Sequence, residues 1–566
     1  GSFHYFRQEP GKDYKNWDNT LKKMAKGGLN AVQTYVPWNL HEPRKGEFNF
    51  EGIANVVRFI ELAQKNNLYV IFRPGPYICG EWDFGGLPYW LLRIPGIKLR
   101  TSDPVYEKHV EDFFSVLLPL VRPYLYQNGG NIIMVQIENE YGFYPACDKV
   151  YLKWLLDLNK RLLRDDVVFF TNDGANDDQL KCGTLPEYIY PTVDFGSCDD
   201  VSVKFDAQMR YAKRGPRVNS EFYPGWLDHW QDKHHKVDAH TIAKSLEAML
   251  RLNASVNFYM YYGGTNHHFF AGSNGDGNYF QADPTSYDYD APLSEAGDRT
   301  AKYYAIRDKI AEWKTLPQYE VADSEKKSFG EVAFTEMASL WDALDVLDAQ
   351  PVAGEHPVTM EKLGLDYGFV LYQTKLAAGG ELRVTDVHDR VYVYVNRKYF
   401  GLIERQDPAR AVAIEAAPGD VLNLLVENMG RLNYGGSMTD PKGLLGDVRV
   451  GEAVLGAWTM FRLGMKDLSG LQWKPAQAEE GPAFYRAVKE IRGVADTFVN
   501  PKEWNKGHVY VNGFNLGRYW TVGPQLTLYC PAPLLKEGEN EIVAFEILGT
   551  KKLTMTLDDV HQIDII

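Results

Sequence analysis

Long apolar stretches are missing from this 566-residue chain, and so are cysteine-dense, strongly basic and repetitive segments. The longest hydrophobic candidate, around Phe113 to Val121, is interrupted by Pro119 and falls short of the about 18 residues that a bilayer-spanning helix needs. No membrane span is expected. Five cysteines are too few to frame a disulfide-knit fold, an odd number leaves at least one unpaired, and none shows the C-x-x-C spacing of a structural metal site. A net charge of -14 repels polyanions, which excludes nucleic acid and anionic membrane surfaces as partners but leaves a neutral substrate unaffected. No internal repeat or low-complexity tract points to a solenoid or a disordered linker.

What the chain has in quantity is aromatic surface: 13 Trp, 35 Tyr and 28 Phe make up 13% of it. Packing accounts for most such rings, and rings with a polar edge also suit the faces of sugars. With 45% hydrophobic and 24% charged residues, the length fits two to four domains with sizeable cores.

The first 300 or so residues alternate short apolar runs with amphipathic helical stretches, the texture of βα repetition. Eight strands are predicted: Phe3 to Phe6, Ala31 to Pro37, Tyr69 to Arg73, Ile132 to Ile137, Val167 to Thr171, Val193 to Gly196, Arg217 to Glu221 and Val256 to Tyr261. Helical patterns over Trp17 to Lys26, Ile53 to Asn66, Tyr106 to Tyr124, Tyr151 to Leu163 and Ala239 to Leu252 are long enough for parallel crossovers, and eight such units close into a (β/α)8 TIM barrel. After the helical stretch Thr300 to Trp313, Pro317 and the charged run Asp323 to Lys327 mark a boundary. Alternating segments divided by Gly, Asp and Asn turns then take over, such as Val391 to Asn396, Val421 to Glu427, Gly507 to Asn512 and Glu541 to Glu546. They read as two antiparallel β-sandwiches. The expected division is a barrel at 1–320, a linker and joining strand at 321–355, one sandwich at 356–480 and a second at 481–566. The fold class is α/β plus all-β.

In a barrel enzyme the reacting groups stand at the C-terminal ends of strands. Two apolar runs end in acids there: Ile133-Met-Val-Gln-Ile-Glu-Asn-Glu-Tyr-Gly142, and Arg217-Val-Asn-Ser-Glu-Phe-Tyr-Pro-Gly-Trp226. Glycosidic cleavage uses one carboxylic acid that protonates the leaving oxygen and one carboxylate on the other face of the sugar, so Glu140 and Glu221 are the candidate pair. Asn139 adds an amide for a sugar hydroxyl. Glu138 competes with Glu140. Strand alternation puts both on one face with Glu138 a layer deeper, where Arg73 is its expected cation.

These stretches resemble glycoside hydrolase family 35, the β-galactosidases. The resemblance rests on Gln33-Thr-Tyr-Val-Pro-Trp-Asn39, Arg73-Pro-Gly-Pro-Tyr-Ile-Cys-Gly-Glu-Trp82, Gln136-Ile-Glu-Asn-Glu-Tyr-Gly142, Asn219-Ser-Glu-Phe-Tyr223 and Ser286-Tyr-Asp-Tyr-Asp-Ala-Pro-Leu-Ser-Glu-Ala-Gly297. It continues through Leu425-Val-Glu-Asn-Met-Gly-Arg-Leu-Asn-Tyr-Gly435 and Val511-Asn-Gly-Phe-Asn-Leu-Gly-Arg-Tyr-Trp520. It implies a retaining exo-β-galactosidase acting on terminal β-D-galactose by double displacement, with Glu221 as nucleophile and Glu140 as acid/base. It also implies that the sandwiches are galactose-binding-like jelly rolls. Carried over by position, the galactose pocket comprises Tyr35, Cys79, Gly80, Glu81, Asn139, Tyr223, Trp226, Tyr259, Tyr287 and Tyr289. The chain departs from the family's pattern at Gly80, and in the Gly-rich stretch Gly272-Ser-Asn-Gly-Asp-Gly277 on the aglycone side.

The resemblance further implies a disulfide between Cys147 and Cys182. That suits a lysosomal or secreted protein, or alternatively a bacterial periplasmic one, with any signal peptide upstream of Gly1. A homodimer is left open. No cofactor and no metal is expected: His229, His234, His235, His240, His267 and His268 fit no zinc spacing and read as surface histidines, and Asn274-Gly-Asp-Gly-Asn278 lacks the remaining ligands of a calcium loop. Asn253-Ala-Ser255 is an N-glycosylation sequon. The alternatives are an exo-glycosidase for another β-linked sugar, and a non-catalytic carbohydrate-binding scaffold.

Overall fold

The computed structural model describes residues 1–276, 279–407, 409–478 and 481–563. Gly277 of the Gly-rich stretch and Asn278 of the calcium-like stretch lie outside the described residues. Seven parallel strands form one sheet in chain order: β1 Ala31–Tyr35, β2 Tyr69–Arg73, β3 Ile132–Gln136, β4 Val168–Gly174, β5 Tyr190–Asp194, β6 Val218–Phe222 and β7 Ser255–Phe258. They are short and mostly buried, as barrel strands covered on both faces must be.

The eighth place is filled differently from the strand expected at Phe3 to Phe6. Ser2 bridges to Gln33 beside β1, and Phe3 bridges to Tyr262 just past β7. Phe3 N donates to Gln33 O at 3.0 Å and Ser2 N to Phe258 O at 2.7 Å, which closes the ring. The chain then turns into a 3-10 helix over Tyr5–Arg7. Tyr5 and Phe6 are consecutive and both buried, the former against Trp17 and Phe59 and the latter against Trp82. A strand would have sent one of them to the opposite face.

The crossover helices are capped by side chains whose oxygens accept from first-turn amides. Asp103 starts Pro104–Val121, Asp148 starts Lys149–Leu162, Asp238 starts Ala239–Arg251 and Thr300 starts Ala301–Ala311. Two further helices, Asp177–Gly183 and Val201–Ala212, are capped by Asn176 and Asp200. None of the helices among the described residues is long and apolar enough to cross a membrane.

Beyond the barrel, the stretch 321–355 is woven into both β units. Gly330–Ala333 pairs with Thr554–Asp558, and Glu336–Ser339 pairs with Ala483–Ile491, so the chain supplies two strands to the last unit first. Val352–Gly354 then pairs with Trp458–Leu463 in the middle unit. Each unit is a six-stranded antiparallel sheet facing a four-stranded one. Leu382, Val384, Val393, Leu424 and Trp458 fill the first, and Tyr485, Trp504, Val509, Leu516 and Leu557 the second. A third apolar cluster joins the two, with Phe369, Leu371 and Leu425 meeting Phe484, Tyr510 and Phe545, and Phe269 of the barrel reaches into it.

Cys147 and Cys182 form a disulfide, which ties the loop after β3 to the helix after β4, while Cys79, Cys198 and Cys530 are free thiols. Ellman titration of the denatured, unreduced protein is expected to count three thiols. A count of five would mean that the bond does not form.

Candidate functional site

At the C-terminal end of β6, Glu221 is almost wholly buried, and its carboxylate is surrounded by donors from the ends of two other strands and from Tyr223, two residues further along its own segment. Tyr35 at the end of β1 donates to its Oε1 at 3.1 Å, Arg73 at the end of β2 forms a charged hydrogen bond to the same oxygen, and Tyr223 donates to Oε2 at 3.1 Å. Its two oxygens thus accept from three donors, one of them a cation.

Asn139 lies between this group and Glu140. Its Oδ1 accepts from Tyr35 at 3.1 Å, from Gln136 at 3.0 Å and from Arg73, while its Nδ2 faces Glu140 Oε2 at 3.3 Å. One amide therefore connects the two candidate carboxyls, through the same tyrosine and arginine that hold Glu221. Burial pushes the Glu140 carboxyl well above the usual carboxylate range. The negative charges of Asp194 and Glu221 push it further, and Arg73 opposes them.

Glu138 does not stand beneath Glu140 as alternation suggested. β3 ends at Gln136, and both glutamates adopt left-handed backbone, φ 61° at Glu138 and 44° at Glu140, so strand periodicity no longer governs them. Glu138 turns away to a bidentate pair with Arg100, at 3.0 and 2.8 Å, and accepts from Tyr151 at 3.0 Å on the helix Lys149–Leu162. Its cation is thus Arg100 and not Arg73, whose charge serves Glu221 instead.

The loop after β2 carries Cys79, Gly80 and Glu81, with left-handed φ at all three. Such backbone costs about 1–3 kcal/mol at a non-glycine residue and persists where the surroundings over-determine it. Glu81 accepts from Tyr287, whose hydroxyl also lies 3.2 Å from that of Tyr259. Tyr289 packs edge-on to Tyr259 and Tyr287, and Tyr223 packs edge-on to Trp226, which remains 41% exposed at the rim. The carbonyl of Gly80 accepts from Arg7, whose guanidinium lies over the Tyr287 ring at 3.8 Å. Burial, with Glu81 and Glu140 nearby, raises the Cys79 thiol well above its ordinary value. All twelve residues singled out from the sequence therefore stand around one mouth of the barrel. By contrast, a cavity of 1140 Å³ at the opposite end, lined by Ala31, Tyr69, Phe169, Tyr190 and Trp313, contains no acidic side chain.

Three contributors escaped sequence reasoning. Asp194 ends β5 directly opposite Glu221 in the ladder, and burial followed by the Glu221 charge raises its carboxyl to about 8. It met the same criterion that selected Glu140, an acid closing an apolar run. Arg7 arrives from the segment that closes the barrel. Asn433 comes from the middle β unit, where its Oδ1 lies 3.7 Å from Cys79 Sγ and its Nδ2 3.0 Å from Asp283. No local pattern announces a contact 354 residues apart.

The histidines are also not all at the surface. His234 is buried with Nδ1 2.7 Å from Asp228, and His267 is buried beside Phe514, whereas His235 and His240 are exposed. Among the described residues, no group of three or more His, Cys, Asp or Glu side chains is arranged to hold a metal ion.

The profile of glycosyl hydrolases family 35 matches residues 1–313. The chain belongs to this family. Profiles of the first all-beta domain and the galactose-binding domain of beta-galactosidases match residues 357–464 and 482–540 of the family 35 chain. It is 45% identical to the mouse beta-galactosidase-1-like protein over 97% of its own length and 86% of that protein's. It is 44% identical to bovine beta-galactosidase, of which it covers 87%, and 43% identical to the human enzyme, of which it covers 84%.

The buried Arg100–Glu138 pair generates a stability prediction. Arg100→Met is expected to lower stability by about 3–5 kcal/mol, because it strands a buried carboxylate, whereas Arg100→Met with Glu138→Leu recovers much of the loss. Urea melts of the two variants check it.

Proposed function

We propose that this chain is a retaining exo-β-galactosidase that removes terminal non-reducing β-D-galactose from glycans or glycoconjugates, with Glu221 as nucleophile and Glu140 as general acid/base. The observation that carries the assignment is the pair of opposed environments joined by Asn139. One carboxyl is held by a cation and two phenols, and the other is kept protonated by burial and neighbouring negative charge. The beta-galactosidase relatives support the sugar.

Direct displacement requires the two carboxyls to stand about 5 Å apart across one pyranose. A Glu221 oxygen attacks the anomeric carbon, the glycosidic C–O bond breaks, and the Glu140 proton goes to the departing oxygen. In the second half Glu140 takes a proton from water, the water oxygen bonds to the anomeric carbon, and Glu221 leaves as carboxylate. Arg73 and Tyr35 hold Glu221 in register, and Tyr223 steadies its second oxygen. Cys79, Gly80, Glu81, Tyr259, Tyr287 and Tyr289 wall the pocket for the terminal unit, with Glu81 serving the O4 and O6 side. Trp226 sits at the open rim. The disulfide Cys147–Cys182 supports an oxidising setting, lysosomal or extracellular, or the periplasm of a bacterium.

Proton NMR of the first sugar released from an aryl β-galactoside is expected to show β-galactose, and faster turnover of the matching β-glucoside would defeat the substrate assignment. Glu221→Gln is expected to lose essentially all turnover. Glu140→Ala keeps glycosylation of substrates with good leaving groups and yields β-galactosyl azide when azide is added; the α-anomer would contradict retention.

The pH profile follows from the raised Glu140 carboxyl. Its acid form persists above the ordinary carboxylate range, so kcat/KM falls on the alkaline side only as Glu140 loses its proton. In Glu140→Ala, assayed with an activated aryl substrate, that alkaline limb is expected to disappear.

A further inference from the structure

Two aromatic side chains beside Glu140 take no part in the galactose pocket. Phe143 follows Glu140 by three residues, on a 3-10 helix over Tyr141–Phe143, and is 41% exposed. Tyr434 comes from the middle β unit and is half-buried. Their ring centroids lie 5.3 Å apart with planes at 60°, so the two rings make one bent surface that is open to solvent on the Phe143 side.

Both rings are held firmly. Phe143 N donates to Glu140 O at 3.1 Å, Gly142 N to Asp173 at 2.7 Å and the Tyr144 hydroxyl to Leu99 O at 2.9 Å, and the disulfide at Cys147 closes the segment. On the other side, the Tyr77 hydroxyl donates to Asn433 O at 2.6 Å, and Asn433 donates through its backbone N and its Nδ2 to Ser273 O, both at 2.9 Å. Ser273 belongs to the Gly-rich stretch, which therefore bears on Tyr434 through Asn433. An apolar ring already fixed at a rim loses little freedom when a ligand covers it.

The phenol of Tyr434 feels the acid/base. Burial, followed by the charges of Glu140, Cys79 and Asp194, raises it above its ordinary range, and its hydroxyl makes no hydrogen bond among the described residues. It is able to donate to a ligand hydroxyl or accept from one. Cations around the segment are already engaged: Arg100 lies over the Tyr144 ring at 4.4 Å and pairs with Glu138, and Lys149 donates to the carbonyls of Cys182 and Thr184. The surface suits a neutral ligand that has one apolar face and a hydroxyl.

Which ligand lies there follows from the chemistry of Glu140. In double displacement its proton goes to the oxygen that leaves, so rings that adjoin Glu140 without walling the galactose pocket meet the leaving group. We propose that Phe143 and Tyr434 form the aglycone subsite and select a pyranose there, with its C–H face on the Phe143 ring and one of its hydroxyls bonded to Tyr434. The inference rests on the catalytic reading of Glu140 and adds to it the class of leaving group, a neutral sugar. The middle β unit then takes part in specificity as well as in supporting the loop after β2.

Rates on two β-galactosides test it: lactose, whose glucose unit reaches the subsite, and methyl β-D-galactoside, whose methyl group does not. Phe143→Ala is expected to lower the ratio of their kcat/KM values, lactose over methyl galactoside, about tenfold. Tyr434→Phe is expected to lower it about fivefold through loss of one hydrogen bond. Phe143→Trp keeps a ring in place and holds the ratio within about twofold of wild type. A loosened loop would slow both substrates together and leave the ratio alone. A ratio at its wild-type value in both Phe143→Ala and Tyr434→Phe would overturn the subsite, while turnover of methyl β-galactoside upholds the catalytic reading. Hydrolysis of neither glycoside by the wild type would bring down the catalytic reading and the subsite together.

Discussion

The guanidinium of Arg73 is the interaction around which the mouth of the barrel is built. It is buried to within 1% at the end of β2, lies over the Tyr35 ring at 3.9 Å, and sends its donors to Gln33, Gln136, Asn139 and Glu221. Gln33 and Gln136 belong to the strands on either side, so the fork spans three neighbours in the sheet and reaches β6 across it. A lysine carries the same charge but lacks this planar set of five donors. Removing either ion of the Arg73–Glu221 pair would leave the other dehydrated inside the barrel, a penalty of several kcal/mol. The pair is therefore one unit, and Asn139 and Tyr35 are positioned by it as much as by their own strands.

Once Glu221 has its cation, the distribution of the remaining charges follows. Two further acids, Glu138 and Glu140, follow two and four residues after the end of β3, and the next guanidinium, Arg100, reaches the first of them. Arg100 takes Glu138 through a bidentate bond outside the strand ring. Glu140 is left facing the cleft beside the Asn139 amide, and burial, followed by the acids Asp194 and Glu221, raises its carboxyl. The left-handed backbone at Glu138 and Glu140 is what sends adjacent acids in opposite directions, and Asn139 between them is the pivot.

The βα repetition and the strand ends that carry Glu140 and Glu221 were legible in the sequence because both rest on local signals. Short strands end where a polar or acidic residue faces the mouth, as at Gln136 and Glu221, whereas Asp194, which closes β5 in the same way, was passed over. The partner of Glu138 was not legible, since the reading assumed that strand alternation continues past Gln136, and a positive φ cannot be read from a glutamate. The first strand failed for a related reason: Phe3, Tyr5 and Phe6 are all buried, and burial on consecutive residues marks a tight turn packed on every side as readily as a strand. The role of 321–355 was hidden because antiparallel partners more than 200 residues away, such as Met555 for Val332, leave no trace in the local pattern.

The dependence of the mouth on the β units shows why the chain does not divide into an enzyme and an appendage. Arg431 of the middle unit is wholly buried, pairs with Glu361 at 2.6 Å within its own unit, and pairs with Asp83 of the barrel at 3.1 Å. Its backbone N also donates to Asp83 at 2.7 Å. Asp83 sits two residues after Glu81, and Asn433, two residues after Arg431, reaches Cys79 and Asp283. If the units came apart, Asp83 would be left as a barrel carboxylate without its cation, beside the loop whose left-handed residues need outside support. The strained loop that presents Cys79, Gly80 and Glu81 is thus held from above by the middle unit. The last unit packs on the middle one through the shared aromatic cluster, and so bears on the same loop at one remove.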